Sequence, residues 1–156
     1  MTKPIYAIGD IHGQLDYLEE PDMFHDIFGH IPLLTNPTYA DFMQKFGEIG
    51  TKYAGNPVAE RQLERLYWFT IEFGLLMERG QPRIYGAGIA SSFGEANHIF
   101  DGGITILPFE IEKVLNHEFK TDVMQMEYFA IESFEALWKS LDGIDELLGK
   151  GVSAQV

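Results

Sequence analysis

The chain has 156 residues, of which 46% are hydrophobic and 13% aromatic, and this is sufficient apolar material for one folded domain. With 24 acidic and 11 basic residues the formal net charge is −13, so nucleic acid and anionic membranes are poor partners, because both are bound by clustered Lys and Arg. Cysteine is absent, which excludes disulfides and thiolate metal sites and leaves His, Asp and Glu as metal ligands.

Membrane insertion and secretion are not expected. The sequence has no apolar run of about 18 residues, the length that a transmembrane helix needs. The N-terminus lacks a charged region followed by a long apolar stretch, the pattern of a secretory signal. We therefore expect a cytoplasmic protein.

The first predicted elements are a strand and a helix. Residues 4–8 are mostly apolar and precede Gly9, which indicates a short strand entering a turn. A helix is predicted to start at Pro21, because proline suits the first helical turn. Gly29 and Pro32 are predicted to end it.

Two longer helices are predicted next. One follows residue 36 and has an apolar face at helical spacing, made of Tyr39, Phe42, Met43 and Phe46. The other opens at Asn56 and Pro57 and is predicted to continue until just before Gly80. Residues 66–77 are apolar almost all round, so this helix should cross the centre of the core.

The second half of the chain is less regular. Residues 82–100 are rich in glycine and serine and are predicted to form a loop and a short strand. Short helices are predicted in residues 108–120 and 132–148, and residues 149–156 are expected to be a frayed tail. The predicted fold class is mainly α with a few short strands.

Two histidines near the N-terminus are candidate metal ligands. His25 and His30 are five positions apart, which on a regular helix separates them by about 140° around the axis. This spacing is poor for chelation unless the helix ends between them. Gly29 and Pro32 suggest that it does, so that His30 can turn toward His25.

Glu72 is the only formal charge between Arg65 and Glu78. A carboxylate in an apolar helix is costly unless it is paired, protonated or bound to a metal. It could face a local opening to water or pair with an arginine. Together with His25 and His30, however, it would compose the two-histidine, one-carboxylate set of non-haem Fe(II) oxygenases.

A third candidate is Asp10 with His12, which follow the predicted first strand. An Asp-x-His sequence after an apolar strand is typical of one half of a two-metal site. A turn that contains polar residues explains the same pattern.

Four long segments carry a family resemblance: LDYLEEPDMFHDIFGHIPLLTNPTYADFMQKFGEIG, ERLYWFTIEFGLL, RIYGAGIASSFGE and TDVMQMEYFAIESFEAL. From about residue 15 to residue 141 the chain resembles the C-terminal half of the aromatic amino acid hydroxylases, and most closely the bacterial phenylalanine hydroxylase type. The resemblance implies a partial catalytic domain of that family in residues 15–148.

The resemblance also implies roles for individual residues. The positions that match the family's iron ligands are His25, His30 and Glu72. Tyr67 and Trp68 match positions that line the iron and substrate pocket, and Tyr67 is the catalytic candidate. The positions that match the substrate loop are Gly88, Ser91, Ser92 and Glu95. Asp26 matches a carboxylate near the pterin, and Pro21 matches a proline beside the iron.

The implied cofactors are Fe(II) and a tetrahydropterin, with O2 as co-substrate. The implied reaction is hydroxylation of an aromatic amino acid, most simply phenylalanine to tyrosine, and the implied partner is that small molecule. The oligomeric state is left open. The alternative is a non-catalytic fusion or decayed fragment that retains a metal site.

The chain departs from the family at its start. The family's upstream region carries the pterin-stacking aromatic and an arginine for the substrate carboxylate, whereas no arginine here precedes Arg61. Residues 1–14 instead resemble the first motif of calcineurin-like metallophosphatases, whose later motifs do not appear, so a phosphatase remnant is a remote alternative. We expect this chain to keep the iron site but to bind pterin and substrate poorly.

Overall fold

The computed structural model describes residues 25–150. Within this range lie two π-helices, His25–His30 (π1) and Trp68–Glu72 (π2), and two 3-10 helices, Ile31–Thr35 and Ile144–Glu146. The α-helices are Pro37–Lys52 (α1), Pro57–Tyr67 (α2), Ala87–Ala90 (α3), Phe93–Asp101 (α4), Ile111–Leu115 (α5) and Phe134–Ser140 (α6). The strands are Leu75–Glu78 (β1), Gln81–Ile84 (β2), Thr105–Pro108 (β3) and Glu127–Ile131 (β4).

The two longest helices begin in the same way. The side chains of Asn36 and Asn56 each accept hydrogen bonds from two backbone N–H groups of the following turn, and a proline follows each asparagine. Asparagine satisfies amides that would otherwise lack a partner, and proline has no amide to satisfy. These start signals position α1 and α2, the helices that flank the metal-binding candidates.

The four strands form one sheet in the order β2-β1-β4-β3. β1 pairs with β2 as an antiparallel hairpin, while β4 pairs in parallel with both β1 and β3. The central strand β4 therefore connects residues that are far apart in sequence. It places the end of π2, which leads into β1, beside the last third of the chain.

The core lies on both faces of β4. Phe129 and Ile131 belong to the larger apolar cluster, which includes the buried faces of α1 and α2. Tyr128 and Ala130 belong to a smaller cluster with Leu75, Ile89 and Ile99. Neighbouring residues on a strand point to opposite faces, so this strand is covered on both sides.

The predicted fold class, mainly helical with a few short strands, is confirmed. Tyr39, Phe42 and Phe46 are buried on α1 as their spacing predicts, and Met43 is half-buried beside them. The short helices α5 and α6 lie in the segments predicted for them. No helix in residues 25–150 is long and apolar enough to cross a membrane.

Three predicted elements differ from the structure. The helix predicted to run to residue 79 leaves helical geometry at Phe73, and residues 75–78 form β1, because their backbone pairs with β2 and β4. Residues 87–101, predicted as loop, form α3 and α4. Gly29 and Pro32 do not end the first helix, which continues as a 3-10 helix to Thr35.

The predicted strand at residues 4–8, the helix start at Pro21, the Asp10–His12 pair and residues 151–156 of the tail lie outside the described residues.

The asparagine that begins α1 provides a test of the fold. Replacing Asn36 with alanine removes the acceptor for the amides of Thr38 and Tyr39. We expect the free energy of unfolding to fall by about 1 kcal/mol, measured by urea denaturation. Gln44→Ala, at an exposed position on the same helix, is the control and should change stability by only a few tenths of a kcal/mol. Equal effects of the two substitutions would contradict the capping role.

Candidate metal centre

The two histidines of π1 face the same side. Their Nε2 atoms are 3.1 Å apart, and their ring centroids are 4.8 Å apart with the rings nearly perpendicular. In a π-helix the hydrogen bonds run from residue i to residue i+5, so residues five apart stand almost one above the other. The 140° separation expected of a regular helix therefore does not apply, and His30 reaches His25 without a helix end between them.

Gly29, which the sequence predicts as part of a helix end, instead allows close packing between two helices. It is buried, and a Cβ at this position would lie 2.9 Å from the Cβ of Ala87. The missing side chain lets π1 pack closely against α3. Gly29 thus holds the histidine-bearing helix against the segment that carries Ser91.

Glu72 supplies the third ligand candidate from π2. It is 5% exposed, and its Oε2 lies 3.5 Å from His25 Nε2 while its Oε1 lies 3.2 Å from His30 Nε2. The sequence left two settings open for Glu72, an opening to water and a pair with an arginine. Its burial contradicts the opening to water. Among the described residues its ion-pair partners are these histidines, not an arginine.

The Nε2 atoms of His25 and His30 and the Glu72 carboxylate form a compact group, called here the ligand triangle. The two nitrogens are 3.1 Å apart, His30 Nε2 lies 3.2 Å from Glu72 Oε1, and His25 Nε2 lies 3.5 Å from Glu72 Oε2. Three ligands that occupy one face of an octahedron at about 2.1 Å from a metal are separated by about 3.0 Å. The two nitrogens are therefore spaced as a first-row divalent ion requires, and each has an oxygen of the same carboxylate beside it. Two imidazoles and one carboxylate on a single face form the set typical of non-haem Fe(II).

Ser91 fixes the orientation of His25. The Ser91 hydroxyl donates to the carbonyl of Ala87 at 2.8 Å, and His25 Nδ1 lies 2.8 Å from the same hydroxyl oxygen. Because the hydroxyl proton is already used, Nδ1 must be the donor in this contact. The lone pair of Nε2 then points into the triangle, as a metal ligand requires.

Glycines bring the segment before α3 against Glu72. A Cβ on Gly86 would overlap the backbone carbonyl of Glu72, and one on Gly88 would lie 3.1 Å from Glu72 Oε2. Close backbone approach at these two positions covers the carboxylate and excludes water from it. Gly88 thus lies beside the Glu72 carboxylate.

A second carboxylate lies near the histidines. One ligand atom from each of His25, Asp26 and His30 falls within a group 4.8 Å across. Asp26 is exposed, whereas Glu72 is buried and has an oxygen within 3.5 Å of each histidine, so Glu72 is the better third ligand.

Tyr67 and Trp68 lie at the junction of α2 and π2, one turn before Glu72. Trp68 is buried in an aromatic stack, with its ring centroid 4.5 Å from both Phe73 and Phe119. Tyr67 is half-buried, and its ring lies 6.3 Å from that of Phe46. These rings form part of the apolar surroundings of π2.

Ser92 and Glu95 make local contacts at the start of α4. The Ser92 hydroxyl accepts a hydrogen bond from the amide of Glu95 and so caps this helix. The Glu95 carboxylate accepts a hydrogen bond of 2.7 Å from the hydroxyl of Tyr128. Burial and this hydrogen bond raise the pKa of Tyr128 above its ordinary value. The hydrogen bonds that these two residues make within residues 25–150 therefore lie inside α4 and between α4 and β4, not at the ligand triangle.

Three features of the site were missed from the sequence. They are the π geometry of both ligand helices, the close approach of Gly86 to Glu72, and the buried hydroxyl of Tyr39, which is unpaired within residues 25–150. The glycine-rich run at 86–88 was the one available signal for close approach. Tyr39 was predicted only as part of an apolar helix face. Pro21, predicted beside the metal, lies outside the described residues.

Comparison with known proteins agrees with this geometry. Residues 11–153 match the family described as biopterin-dependent aromatic amino acid hydroxylase. The chain is 48% identical over 126 residues to phenylalanine-4-hydroxylase of Ralstonia nicotianae, and 45% identical over 129 residues to that of Mesorhizobium japonicum. Each match covers 80% of this chain, but only 40% and 46% of the relatives.

Solved structures give the same result. The iron- and phenylalanine-bound phenylalanine hydroxylase of Chromobacterium violaceum superposes with a TM-score of 0.77 at 40% identity, covering 82% of this chain and 48% of that one. The cobalt-bound form of that enzyme superposes with a TM-score of 0.76 at 42% identity, covering 86% and 49%. The present chain thus spans less than half the length of the relatives that it matches.

The two neighbouring serines offer a matched test of the site. Ser91→Ala removes the acceptor that orients His25, and we expect affinity for a divalent metal to fall by about 10-fold. Ser92→Ala removes only a helix cap, so it should lower thermal stability while leaving metal affinity unchanged. Titration with Co(II), followed by visible absorption, measures both. Equal metal affinities in the two variants would refute the orienting role of Ser91.

Proposed function

Since this chain belongs to the biopterin-dependent aromatic amino acid hydroxylase family, we propose that His25, His30 and Glu72 bind Fe(II) for the hydroxylation of an aromatic amino acid. The proposed substrate is phenylalanine and the product tyrosine, with a tetrahydropterin and O2 as co-substrates. The net charge of −13 favours small molecules over nucleic acid as partners.

The observation that carries the proposal is the ligand triangle. Its two imidazole nitrogens are 3.1 Å apart, and each lies 3.2 or 3.5 Å from one oxygen of a buried carboxylate, an arrangement that fits an Fe(II) ion. The Chromobacterium violaceum relative, whose structure contains iron and phenylalanine, supports the choice of metal and of substrate.

The residues of this chain would contribute orientation and exclusion of water. Three ligands on one face leave the opposite face open for O2 and substrate. Ser91 holds His25 in the tautomer whose Nε2 faces the metal, and Gly86 and Gly88 let the backbone close over Glu72. Iron and the tetrahydropterin would together supply the activation of O2.

The remaining pocket residues are also proposals. Tyr67 and Trp68 are proposed to form the wall of the pocket next to π2. The substrate loop is proposed to contain Gly88, Ser91, Ser92 and Glu95, and Asp26 is proposed to lie near the pterin. Gly88 and Ser91 have the strongest structural support, because both contact iron-ligand candidates. The boundary between residues 14 and 15 remains a prediction.

A metal-binding chain without turnover is the second candidate. This chain matches less than half of each relative's length, yet its own residues provide all three proposed metal ligands. Together these observations favour metal binding without turnover. Binding of Fe(II) with no formation of tyrosine would support this candidate over the hydroxylase. A phosphatase has no comparable support, since the later motifs of the calcineurin-like metallophosphatases do not appear in the sequence.

Glu72 provides the decisive test. Glu72→Gln keeps the shape of the side chain but removes the negative charge, so we expect the chain to remain folded and to lose stoichiometric Fe(II) binding. Anaerobic Fe(II) titration of the purified chain measures this loss. Glu78→Gln, at an exposed position on β1, is the matched control and should bind as the unchanged chain does. Retained binding by a folded Glu72→Gln variant would overturn the proposed ligand set.

Turnover is then assayed with phenylalanine, a tetrahydropterin and O2. Tyrosine formation that depends on both Fe(II) and Glu72 would support the hydroxylase. If the chain binds Fe(II) but forms no tyrosine, the second candidate is correct for this chain.

A further inference from the structure

Two buried tyrosine hydroxyls have no hydrogen-bond partner in the described part of the chain. They belong to Tyr39, on the first turn of α1, and Tyr85, just after β2. The rings of the two tyrosines are 6.4 Å apart, and each lies 5.3 Å from the ring of Phe134. A phenylalanine would fill the same space without the cost of burying an unpaired hydroxyl. Both hydroxyls therefore call for an explanation.

The surroundings of the two hydroxyls differ. Burial raises the pKa of Tyr39, and the negative charge of Glu72 raises it further, so this hydroxyl lies within electrostatic reach of the carboxylate. Burial and the neighbouring Tyr39 raise the pKa of Tyr85. Tyr85 instead lies against Gly74, where a Cβ would overlap its hydroxyl. The Tyr39 hydroxyl and Glu72 Oε1 are thus a buried donor and a buried acceptor that both lack a hydrogen-bond partner within residues 25–150 and that interact electrostatically.

Glu72 needs a donor when its histidine neighbours bind metal. In the structure, its oxygens face His30 and His25 at 3.2 and 3.5 Å. A metal ion engages the Nε2 lone pairs of both rings, so neither Nε2 can then donate to the carboxylate. The Glu72 oxygen on the side of His30 has no hydrogen bond in the described structure. Carboxylate ligands are normally fixed by an outer hydrogen bond.

We propose that Tyr39 is a positioning residue of the metal centre, whose hydroxyl donates a hydrogen bond to the Glu72 carboxylate when a divalent metal is bound. This inference rests on the proposed function, because it requires His25, His30 and Glu72 to be the ligands. It explains why a hydroxyl is retained at a site where an unsubstituted ring would pack equally well.

The test compares Tyr39→Phe with Tyr85→Phe in the full chain. Both substitutions remove one buried, unpaired hydroxyl and keep the ring, so both variants without metal should be at least as stable thermally as the unchanged chain. Co(II) alone is the probe. We expect Tyr39→Phe to weaken Co(II) binding by about 10-fold and to shift the visible absorption bands of bound Co(II), because the carboxylate becomes less well oriented. Tyr85→Phe should change neither.

The outcomes separate the two proposals. If the unchanged chain binds no Co(II), or if Glu72→Gln binds as well as it does, the proposed metal centre fails and this inference fails with it. If the unchanged chain binds through Glu72 but Tyr39→Phe has the same affinity and spectrum, only the role of Tyr39 is refuted. A loss of affinity that Tyr85→Phe matches, or that accompanies a fall in thermal stability without metal, indicates packing and also refutes it.

Discussion

Glu72 is only 5% exposed, and its carboxylate oxygens lie 3.2 Å from His30 Nε2 and 3.5 Å from His25 Nε2. A buried charge without partners would destabilise the fold, so the surrounding elements must keep those partners in place. π1 brings the two rings to one side, α3 lies directly against π1, and Gly86 lets the chain pass over the carbonyl of Glu72. The local structure around the carboxylate is therefore arranged by an electrostatic requirement as much as by apolar packing.

The same requirement explains how the helical and sheet parts of the fold are connected. Glu72 ends π2, and β1 begins three residues later in the centre of the sheet. β1 pairs with β4 from the last third of the chain, and β4 is covered on both faces. The sheet thus continues from Glu72 on one side, while π1 and the segment of Gly86 and Gly88 lie against it on the other. Movement of the ligand relative to the histidines would require disruption of both.

Sequence reasoning reached the helical fold class and singled out the three side chains that the structure brings together, but not their geometry. The caps at Asn36 and Asn56 and the apolar face of α1 were predictable because they depend on neighbours within a few residues. The change from helix to strand at residues 73–75 was not, because β1 is defined by backbone pairing with β2 and with β4, which lies more than 50 positions away, and not by its own apolar pattern. His25 and His30 were identified by resemblance, whereas their spacing alone argued against chelation on a regular helix. The contacts of Ser91, Gly86 and Tyr39 depend on the tertiary structure, which no local pattern encodes.

The π geometry of the segment from His25 to His30 also bears on how this site tolerates insertions and deletions. Removing one residue between the histidines would leave a four-residue spacing, which on a regular α-helix again places both rings on one side, about 40° apart. The pair would survive, but every residue beyond it would rotate by about 100° around the helix axis. Gly29 would no longer meet Ala87, and the following 3-10 helix would enter α1 in the wrong phase. The extra residue in the π turn therefore lets both histidine side chains point to one side without changing the direction in which the following helices face the core. Insertions and deletions in this segment should therefore be far more damaging than most substitutions.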